Sequence, residues 1–243
     1  MSFVAMLAFG LLSYFSPYEA QAIFEQANQE FAAKNHVQAK AAYQKLLDAN
    51  LGGAELHYNL GTTCLELNEL GCAIWNLEKA SQFSPNAKDI LFNLAWARSL
   101  QADSVPSVET PFLYRVLKNI SNTLLAWALL VLAWALFFSF VGLRLFPRQA
   151  RLCKTVDFML WALLGLCAFT LAAKRYASSQ WEESIVLPET AVARQLPSEQ
   201  ATQVFRLHGG LKVRVLERTG QFAKIRTANG QEAWVRLEFL GAL

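Results

Sequence analysis

The chain has little charge for its size. Only 17% of its 243 residues are Asp, Glu, Lys or Arg and 54% are hydrophobic, whereas about 25% of the residues in typical soluble domains are charged. Part of the chain is therefore expected to lie in lipid. The net charge of +3 is small, and no block of Lys and Arg is present that could neutralise a run of phosphates. We predict no nucleic-acid partner.

The chain also lacks the residue groupings that enzymes use. Its three histidines, His36, His57 and His208, belong to no HExxH motif and no His/Cys cluster. It has no Walker loop, no GxSxG and no GxGxxG sequence. We therefore predict that the protein is not an enzyme, with no catalytic residue, no metal and no cofactor. An enzyme whose acids and histidines meet only through folding is the alternative class.

Cysteine is scarce and scattered. The four cysteines, Cys64, Cys72, Cys153 and Cys167, form no CxxC motif and are too few for a disulfide-stapled fold. Cys64 and Cys72 could meet across a helical hairpin and form a disulfide in an oxidising compartment. Cysteine is also among the most buried residue types, and packing is the interpretation that we favour.

The N-terminal segment 1–22 has the pattern of a secretory signal peptide. Its apolar run 3–15 is shorter than the roughly twenty residues that span a bilayer. Ala20-Gln21-Ala22 follows this run and fits an A-x-A cleavage site. No Lys or Arg precedes the run, which keeps an uncleaved anchor or a misplaced start codon as alternatives.

Two long apolar runs predict transmembrane helices at 123–143 and 156–173. The first run contains no ionisable side chain, and the second has one acid, Asp157, at its edge. A buried core helix would normally show a polar stripe, and neither run has one.

The basic segment 144–155 between these runs predicts the orientation in the membrane. It holds four Lys or Arg residues and no acid, whereas the linkers 102–122 and 174–187 hold two basic residues each. By the positive-inside rule the basic segment lies in the cytoplasm, and the signal peptide favours the same orientation. We therefore expect the flanking parts of the chain on the periplasmic side of the bacterial inner membrane.

Residues 54–85, AELHYNLGTTCLELNELGCAIWNLEKASQFSP, resemble a tetratricopeptide repeat (TPR). The small residues of this repeat let two helices approach closely, and its proline ends the second helix. These packing positions are Leu60, Gly61, Ala73, Ala80 and Pro85. A weaker copy precedes the repeat and a half copy, 89–100, follows it. The resemblance implies an all-α TPR module of five helices over 23–101.

TPR modules bind partners on the concave face of their first helices. Carried over by motif position, the candidate partner-binding residues are Glu55, Tyr58, Asn59, Thr62, Glu66, Phe92, Asn93 and Trp96, with Glu25, Gln29, Leu65 and Asp89 beside them. None is Lys or Arg, which excludes a carboxylate clamp because that clamp needs cationic donors. The resemblance implies an aromatic strip rimmed by acids; the alternative is a solvated helical face.

From about Thr190 the pattern becomes alternating, with turn signals at Thr219-Gly220 and Asn229-Gly230. These features predict a small all-β unit over 188–243. Its landmarks resemble the bacterial SH3-like family, and they include Gly210, Phe222, Gly230 and Trp234. Phe222 stands where the family usually has tryptophan. The resemblance implies a small barrel of a kind that often binds peptides or cell-wall material. Trp234 is expected in the core or a groove wall.

The order of these modules resembles the BatE family of bacterial aerotolerance operons. Membership would imply a non-enzymatic membrane adaptor in envelope or oxidative-stress tolerance. Its partners would be membrane proteins with von Willebrand A domains and a MoxR-type ATPase system. The alternative is a cell-wall-binding or envelope-sensing protein. In that case the SH3-like domain, with eight basic and five acidic residues from Pro188 onward, would hold an anionic polymer.

Overall fold

The computed structural model describes residues 15–101, 111–145 and 150–243. The described residues form two compact units: 15–101 and 183–243 belong to one, and those between 109 and 182 to the other. Residues 1–14 of the predicted signal peptide, 102–110 of the predicted linker and 146–149 of the basic segment lie outside the described residues. Ala20-Gln21-Ala22 is described, and it lies inside the first helix.

The first unit begins with five helices, α1 (Pro17–Ala32), α2 (His36–Asp48), α3 (Ala54–Glu66), α4 (Leu70–Phe83) and α5 (Lys88–Ser99). A capping box starts α1, in which the Ser16 side chain accepts from the Glu19 backbone and Glu19 accepts from the Ser16 backbone. Lys34, Asn50 and Asn68 adopt positive φ just beyond the ends of α1, α2 and α3, the left-handed conformation that commonly ends a helix.

Consecutive helices pack through small residues. Ala27, Ala39, Ala73 and Ala80 have no exposed surface. A Cβ atom added at Gly61 would lie 2.9 Å from Leu77 Cγ, so α3 and α4 approach too closely there for a larger residue. Of the other predicted packing residues, Leu60 is fully buried, and Pro85 is exposed two residues beyond the end of α4.

The second half of the same unit is a seven-stranded sheet in the order β3-β2-β6-β5-β4-β1-β7. Its strands are β1 (Glu182–Val186), β2 (Thr190–Arg194), β3 (Gln203–His208), β4 (Lys212–Thr219), β5 (Phe222–Arg226), β6 (Glu232–Arg236) and β7 (Leu240–Ala242). The two predicted turns join β4 to β5 and β5 to β6, and Gly220 and Gly230 take positive φ there. Alternate strand residues such as Val213, Ile225 and Val235 form a separate apolar core.

The segment 174–187, which we predicted as a linker, has regular structure instead. It is helical to Gln180 and forms strand β1 from Glu182. Strand β1 pairs antiparallel with β7, and Ser184 lies opposite Ala242. A five-residue strand that pairs with a segment more than fifty residues away has no local signal in the sequence, which explains why β1 was not predicted.

The second unit contains α6 (Phe112–Asn119), α7 (Asn122–Leu145) and α8 (Ala150–Gln180). Helices α7 and α8 pack against each other. The stretches Asn122–Gly142 and Thr155–Ala177 are long and apolar enough to cross a membrane, with mean hydropathies of 2.5 and 1.9, and none of their most apolar windows is buried. The two predicted spans therefore lie in helices of suitable length and composition. Helix α6 occupies part of the predicted linker 102–122.

Within the first unit, helix α4 packs directly against the sheet. The Trp75 indole Nε1 donates a hydrogen bond of 2.9 Å to the Ala242 carbonyl oxygen. A Cβ atom added at Gly241 would lie 2.6 Å from Trp75 Cδ1, and one added at Gly71 would lie 2.1 Å from the Leu187 carbonyl oxygen. Glycine is therefore required on both sides of this contact, which we call the α4 junction.

Ion pairs extend the α4 junction. Glu78 is only 8% exposed, and its carboxylate pairs with Arg98 on α5 and with Lys212 on β4 at 3.7 Å. Lys212 also pairs with Glu183 on β1 at 3.1 Å. A buried carboxylate is costly without such partners. The predicted helical module and SH3-like domain are thus one folded unit.

We predict that Gly71→Ala destabilises the protein although alanine is the better helix former by about 1 kcal/mol. The new methyl group would meet the Leu187 carbonyl, a backbone atom that cannot rotate away. Overpacking of this kind typically costs about 1 to 3 kcal/mol. Urea unfolding of the full chain in detergent, followed by tryptophan fluorescence, measures the change.

Gly52→Ala is the matched control, because its new Cβ would have only His57 Nε2 nearby, at 3.9 Å. Its unfolding midpoint should stay close to that of the unsubstituted chain. Equal midpoints for the two alanine variants would show that α4 does not press on the β1–β2 loop.

Candidate functional site

A groove of about 340 Å³ opens between α1, α2 and α3. Its lining residues, which we call the amide groove, are Asn28, Phe31, Tyr43, Tyr58, Asn59 and Thr62. Three of the eight predicted partner-binding residues, Tyr58, Asn59 and Thr62, are therefore brought together in one concave surface.

Hydrogen bonds hold the side chains of the amide groove in place. The Tyr43 hydroxyl donates to Asn28 Oδ1 at 2.6 Å, and Asn59 Nδ2 donates to the same oxygen at 3.1 Å. Burial raises the pKa of Tyr43 to about 12, so the phenol keeps its proton and stays a donor at neutral pH. These bonds fix the orientation of both amides, and amides carry donors and acceptors together.

Helix α5 extends this surface beyond the amide groove. Asn93 Nδ2 donates to the Tyr58 hydroxyl at 3.1 Å, which links α5 to α3. Phe92 and Trp96 lie on the same helix and are 71% and 48% exposed. Large aromatic side chains with this exposure are typical of binding surfaces.

The predicted acids are not part of the lining of the amide groove. Glu55, Glu66 and Asp89 are all exposed. The Thr62 hydroxyl donates to the Tyr58 carbonyl oxygen at 2.9 Å, so its proton is used within α3. Of the predicted set, Phe92, Trp96, Glu55 and Glu66 contribute exposed side chains to α3 and α5.

Sequence reasoning missed Asn28 as a site residue. It placed Glu25 and Gln29 on the face that α1 contributes, and both are exposed, whereas Asn28 lines the groove. A signal was available. Asparagine recurs at Asn28, Asn59 and Asn93, and an aromatic or amide neighbour stands beside each, so aligning the weak first copy on its asparagine would have found it.

A second cavity, of about 650 Å³, lies at the α4 junction. Its walls come from the α3–α4 turn, the β1–β2 loop and the end of β3, and its lining includes Glu69, Gly71, Leu187, Glu189, His208 and Gly209. Glu69 forms an ion pair with Lys40. The sequence contained no sign of this cavity, because its walls belong to modules that we treated as separate.

A third cavity, of about 610 Å³, includes His57 and Trp75 in its lining. Asn76 Nδ2 donates to the Cys72 carbonyl oxygen, so Asn76 Oδ1 accepts from His57 Nδ1–H at 2.9 Å. The ring stacks on Phe83. Burial lowers the pKa of His57. The histidine is neutral, packed and hydrogen-bonded, which is a structural role.

The prediction that Cys64 and Cys72 only pack is wrong in this structure, where they form a disulfide. Cys64 lies in the last turn of α3, and Cys72 lies in the first turn of α4. The connection between these helices is short, so the Cα atoms of the two cysteines are 5.8 Å apart. Cys64 is also fully buried. Among the described residues, Cys64, Glu69 and Cys72 form the one group of three metal-type ligands.

The SH3-like landmarks serve the fold. Gly210 takes positive φ, and a Cβ atom added there would lie 2.5 Å from Ile74 Cδ1. Phe222 is buried and Gly230 forms a turn. Trp234 is half-buried and lies opposite Lys224 and Arg194 on the neighbouring strands. Of the two aromatic landmarks, Phe222 and Trp234, it is therefore the more exposed.

Most basic side chains of the β-domain are already paired. At least five of the eight form ion pairs with carboxylates, namely Arg194, Lys212, Lys224, Arg226 and Arg236. Glu232, which pairs with Lys224 and Arg226, has its pKa lowered by hydrogen bonds from these two residues. This pairing leaves less positive charge for an anionic polymer than composition suggested.

Comparison with known protein families identifies the C-terminal module. Residues 190–241 match the sequence model of the bacterial SH3 domain family. The match begins at β2 and ends within β7, so β1 lies before it. No curated protein matches the chain. The protein therefore carries a bacterial SH3 domain and two helices able to cross a membrane, which confirms the predicted SH3-like module.

We predict that acidification destabilises the protein partly through His57. Because its pKa in the folded protein lies below the ordinary value of 6.5, the unfolded chain takes up the proton first as the pH falls. The contribution of neutral His57 to the free energy of unfolding is present in full above about pH 6.5, and it is lost as the pH falls below that value. Urea midpoints of the full chain at neutral and mildly acidic pH measure the loss.

Between neutral and mildly acidic pH, the His57→Gln variant should lose less stability than the unsubstituted chain loses. If His57→Gln and the unsubstituted chain respond equally, His57 does not titrate with a lowered pKa.

Proposed function

We propose that the protein is a non-enzymatic, membrane-anchored adaptor whose helical part is a TPR module. The observation that carries the proposal is the amide groove, which the hydrogen bond from Asn93 to Tyr58 joins to the helix that bears the exposed Phe92 and Trp96. Oriented amides suit the donors and acceptors of an extended peptide main chain, and the exposed aromatics suit its apolar side chains. The ligand class is therefore an extended segment of another protein.

The charges on this surface limit the kinds of protein segment that it can bind. The exposed acids Glu55, Glu66 and Asp89 lie on the helices that bear the aromatics, and no Lys or Arg belongs to the amide groove. A free C-terminal carboxylate would find no cationic partner there. A segment with apolar anchors and some positive charge fits better, because rim charges steer association with opposite charge.

Membrane topology agrees with this role. Because the helices before the two spans and the sheet after them pack at the α4 junction, both must lie on the same side of the membrane. Two spans between them return the chain to that side. The Cys64–Cys72 disulfide favours an oxidising compartment, and the basic segment 144–155 favours the cytoplasm. Together they support the periplasmic side of the inner membrane.

The resemblance to the BatE family extends the proposal to partners. It favours membrane proteins with von Willebrand A domains and a MoxR-type ATPase system, acting in envelope or oxidative-stress tolerance. Tethering the helical module and the SH3 domain as one unit near a membrane surface would raise the effective concentration of both for such neighbours.

Cell-wall binding is the second candidate function, and the bacterial SH3 domain with its accessible Trp234 favours it. An aromatic side chain flanked by Arg194 and Lys224 could stack on a sugar ring or contact an anionic group. The ion pairs of the β-domain reduce the charge available for this purpose.

We predict that the double variant Phe92→Ala/Trp96→Ala loses partner proteins in pull-downs of the full chain from its own solubilised membranes. Truncation of a hot-spot aromatic typically costs about 2 kcal/mol or more. Both side chains are exposed, so the helical spectrum should not change. Replacing Glu55, Glu66 and Asp89 by lysine should weaken recovery less and in a salt-dependent way.

Leu91→Ala is the matched control, since Leu91 lies on the same helix and is 45% exposed but points about 100° away from Phe92. It should recover partners normally. If the double variant also recovers them normally, α5 is not the binding surface. In that case, the second candidate would be supported if the chain sediments with purified cell wall and the Trp234→Ala variant does not.

We predict that a phosphatase active only in the periplasm is active when fused after Leu243 and inactive when fused after Gln149. Membrane-fraction activity, normalised to the amount of each fusion protein, checks this orientation. The reverse pattern would place the folded unit in the cytoplasm and contradict the signal-peptide interpretation.

A further inference from the structure

The turn between α3 and α4 gathers three side chains with metal-binding chemistry. Cys64, Glu69 and Cys72 place one ligand atom each within 4.8 Å of one another. In the oxidised chain the two sulfurs are bonded to each other and cannot bind an ion. Reduction would turn them into two separate ligands beside a carboxylate.

This ligand set suits a thiophilic divalent ion. Zinc binds cysteine sulfur at about 2.3 Å and carboxylate oxygen at about 2.0 to 2.2 Å, usually with four ligands. Ligands on one such ion therefore lie less than about 4.6 Å apart, so the three groups need only a small adjustment. Cys64 is buried, Cys72 is half-buried and Glu69 is exposed. Solvent can thus supply the remaining ligand from the Glu69 side.

The surroundings of the Cys72 sulfur favour its anionic form. Asn76 Nδ2 lies 3.6 Å from Cys72 Sγ as a hydrogen-bond donor, and Asn76 Oδ1 is held by His57. Cys72 is also the third residue of α4, and the N-terminal end of a helix stabilises a thiolate. Supporting bonds of this kind orient metal ligands in proteins.

We propose that Cys64, Cys72 and Glu69 form a redox-gated site for zinc or a similar thiophilic divalent ion. A dithiol reductant donates two electrons and two protons, the bond between the two cysteine sulfurs breaks, and the reductant is oxidised to its own disulfide. Ion binding then displaces the two thiol protons into solvent. The Glu69 carboxylate leaves its ion pair with Lys40 and binds the metal ion instead. Oxidation closes the site again by joining the sulfurs.

Binding would act on the α4 junction. Glu69 and Gly71 belong to the turn that lines the junction cavity, and Gly71 presses on the β1–β2 loop. The site therefore couples the redox state of the compartment to the contact between helices and sheet. This inference is independent of the proposed partner-binding function, because it uses none of the amide-groove residues.

Cobalt provides the test, using the full chain in detergent with Cys153 and Cys167 replaced by serine. The chain is reduced and handled without oxygen, and Co²⁺ is added. We expect one ion per chain, a sulfur-to-cobalt charge-transfer band, and loss of the band when Zn²⁺ is added in competition. The oxidised chain should show no band.

Matched variants separate the ligands from the fold. Cys64→Ser/Cys72→Ser should abolish the band, and Glu69→Gln should weaken Co²⁺ binding about tenfold or more while leaving both sulfurs in place. Glu66→Gln, a change of an exposed acid on α3, should bind like the parent chain. Circular dichroism of each variant checks that the helices are formed.

Three results would overturn the proposal. The reduced chain could show no band beyond that of the double serine variant. The oxidised chain could bind Co²⁺ as well as the reduced chain, which would remove the gate. Glu69→Gln could bind as tightly as Glu66→Gln, which would remove the carboxylate from the ligand set.

Discussion

The first unit depends on the close approach of helix α4 to the backbone of the sheet. Gly71 and Gly241 leave no room for a side chain at this contact, and the Trp75 indole covers the β7 edge by bonding the Ala242 carbonyl. An uncovered sheet edge would invite pairing with other chains. The same contact buries Glu78 and thereby requires Lys212 and Arg98 as its partners. Helices and sheet are therefore parts of one folded unit, joined at this contact although each has its own apolar core.

Local chemistry explains which parts of this fold were predictable. Some features depend only on residues that are close in the sequence. They are the turn residues Gly220 and Gly230, the apolar runs of α7 and α8, and the small residue Gly61 at a helix contact. They are visible in the sequence for that reason. Strand β1 and the α4 junction depend on partners at the far end of the chain, and no local pattern records such a pairing.

The candidate site shows the same division. The repeat register located Tyr58, Asn59 and Thr62, because helical periodicity alone places them on one face. Asn28 was missed since its copy of the repeat is irregular, and its role appears only through the bonds from Tyr43 and Asn59. The disulfide was considered but packing was favoured, because two cysteines eight residues apart are compatible with either, and only the geometry of the α3–α4 turn decides.

The position of helices α7 and α8 in the chain has a consequence for the order of folding. In the sequence these two apolar helices interrupt one folded unit, since its own helices precede them and its sheet follows. The helices of that unit are synthesised first, yet the surface around Trp75 and Gly71 stays uncovered until strand β7 has been made. The unit can therefore close only after α7 and α8 have been synthesised, and a helical intermediate with this surface exposed comes before it.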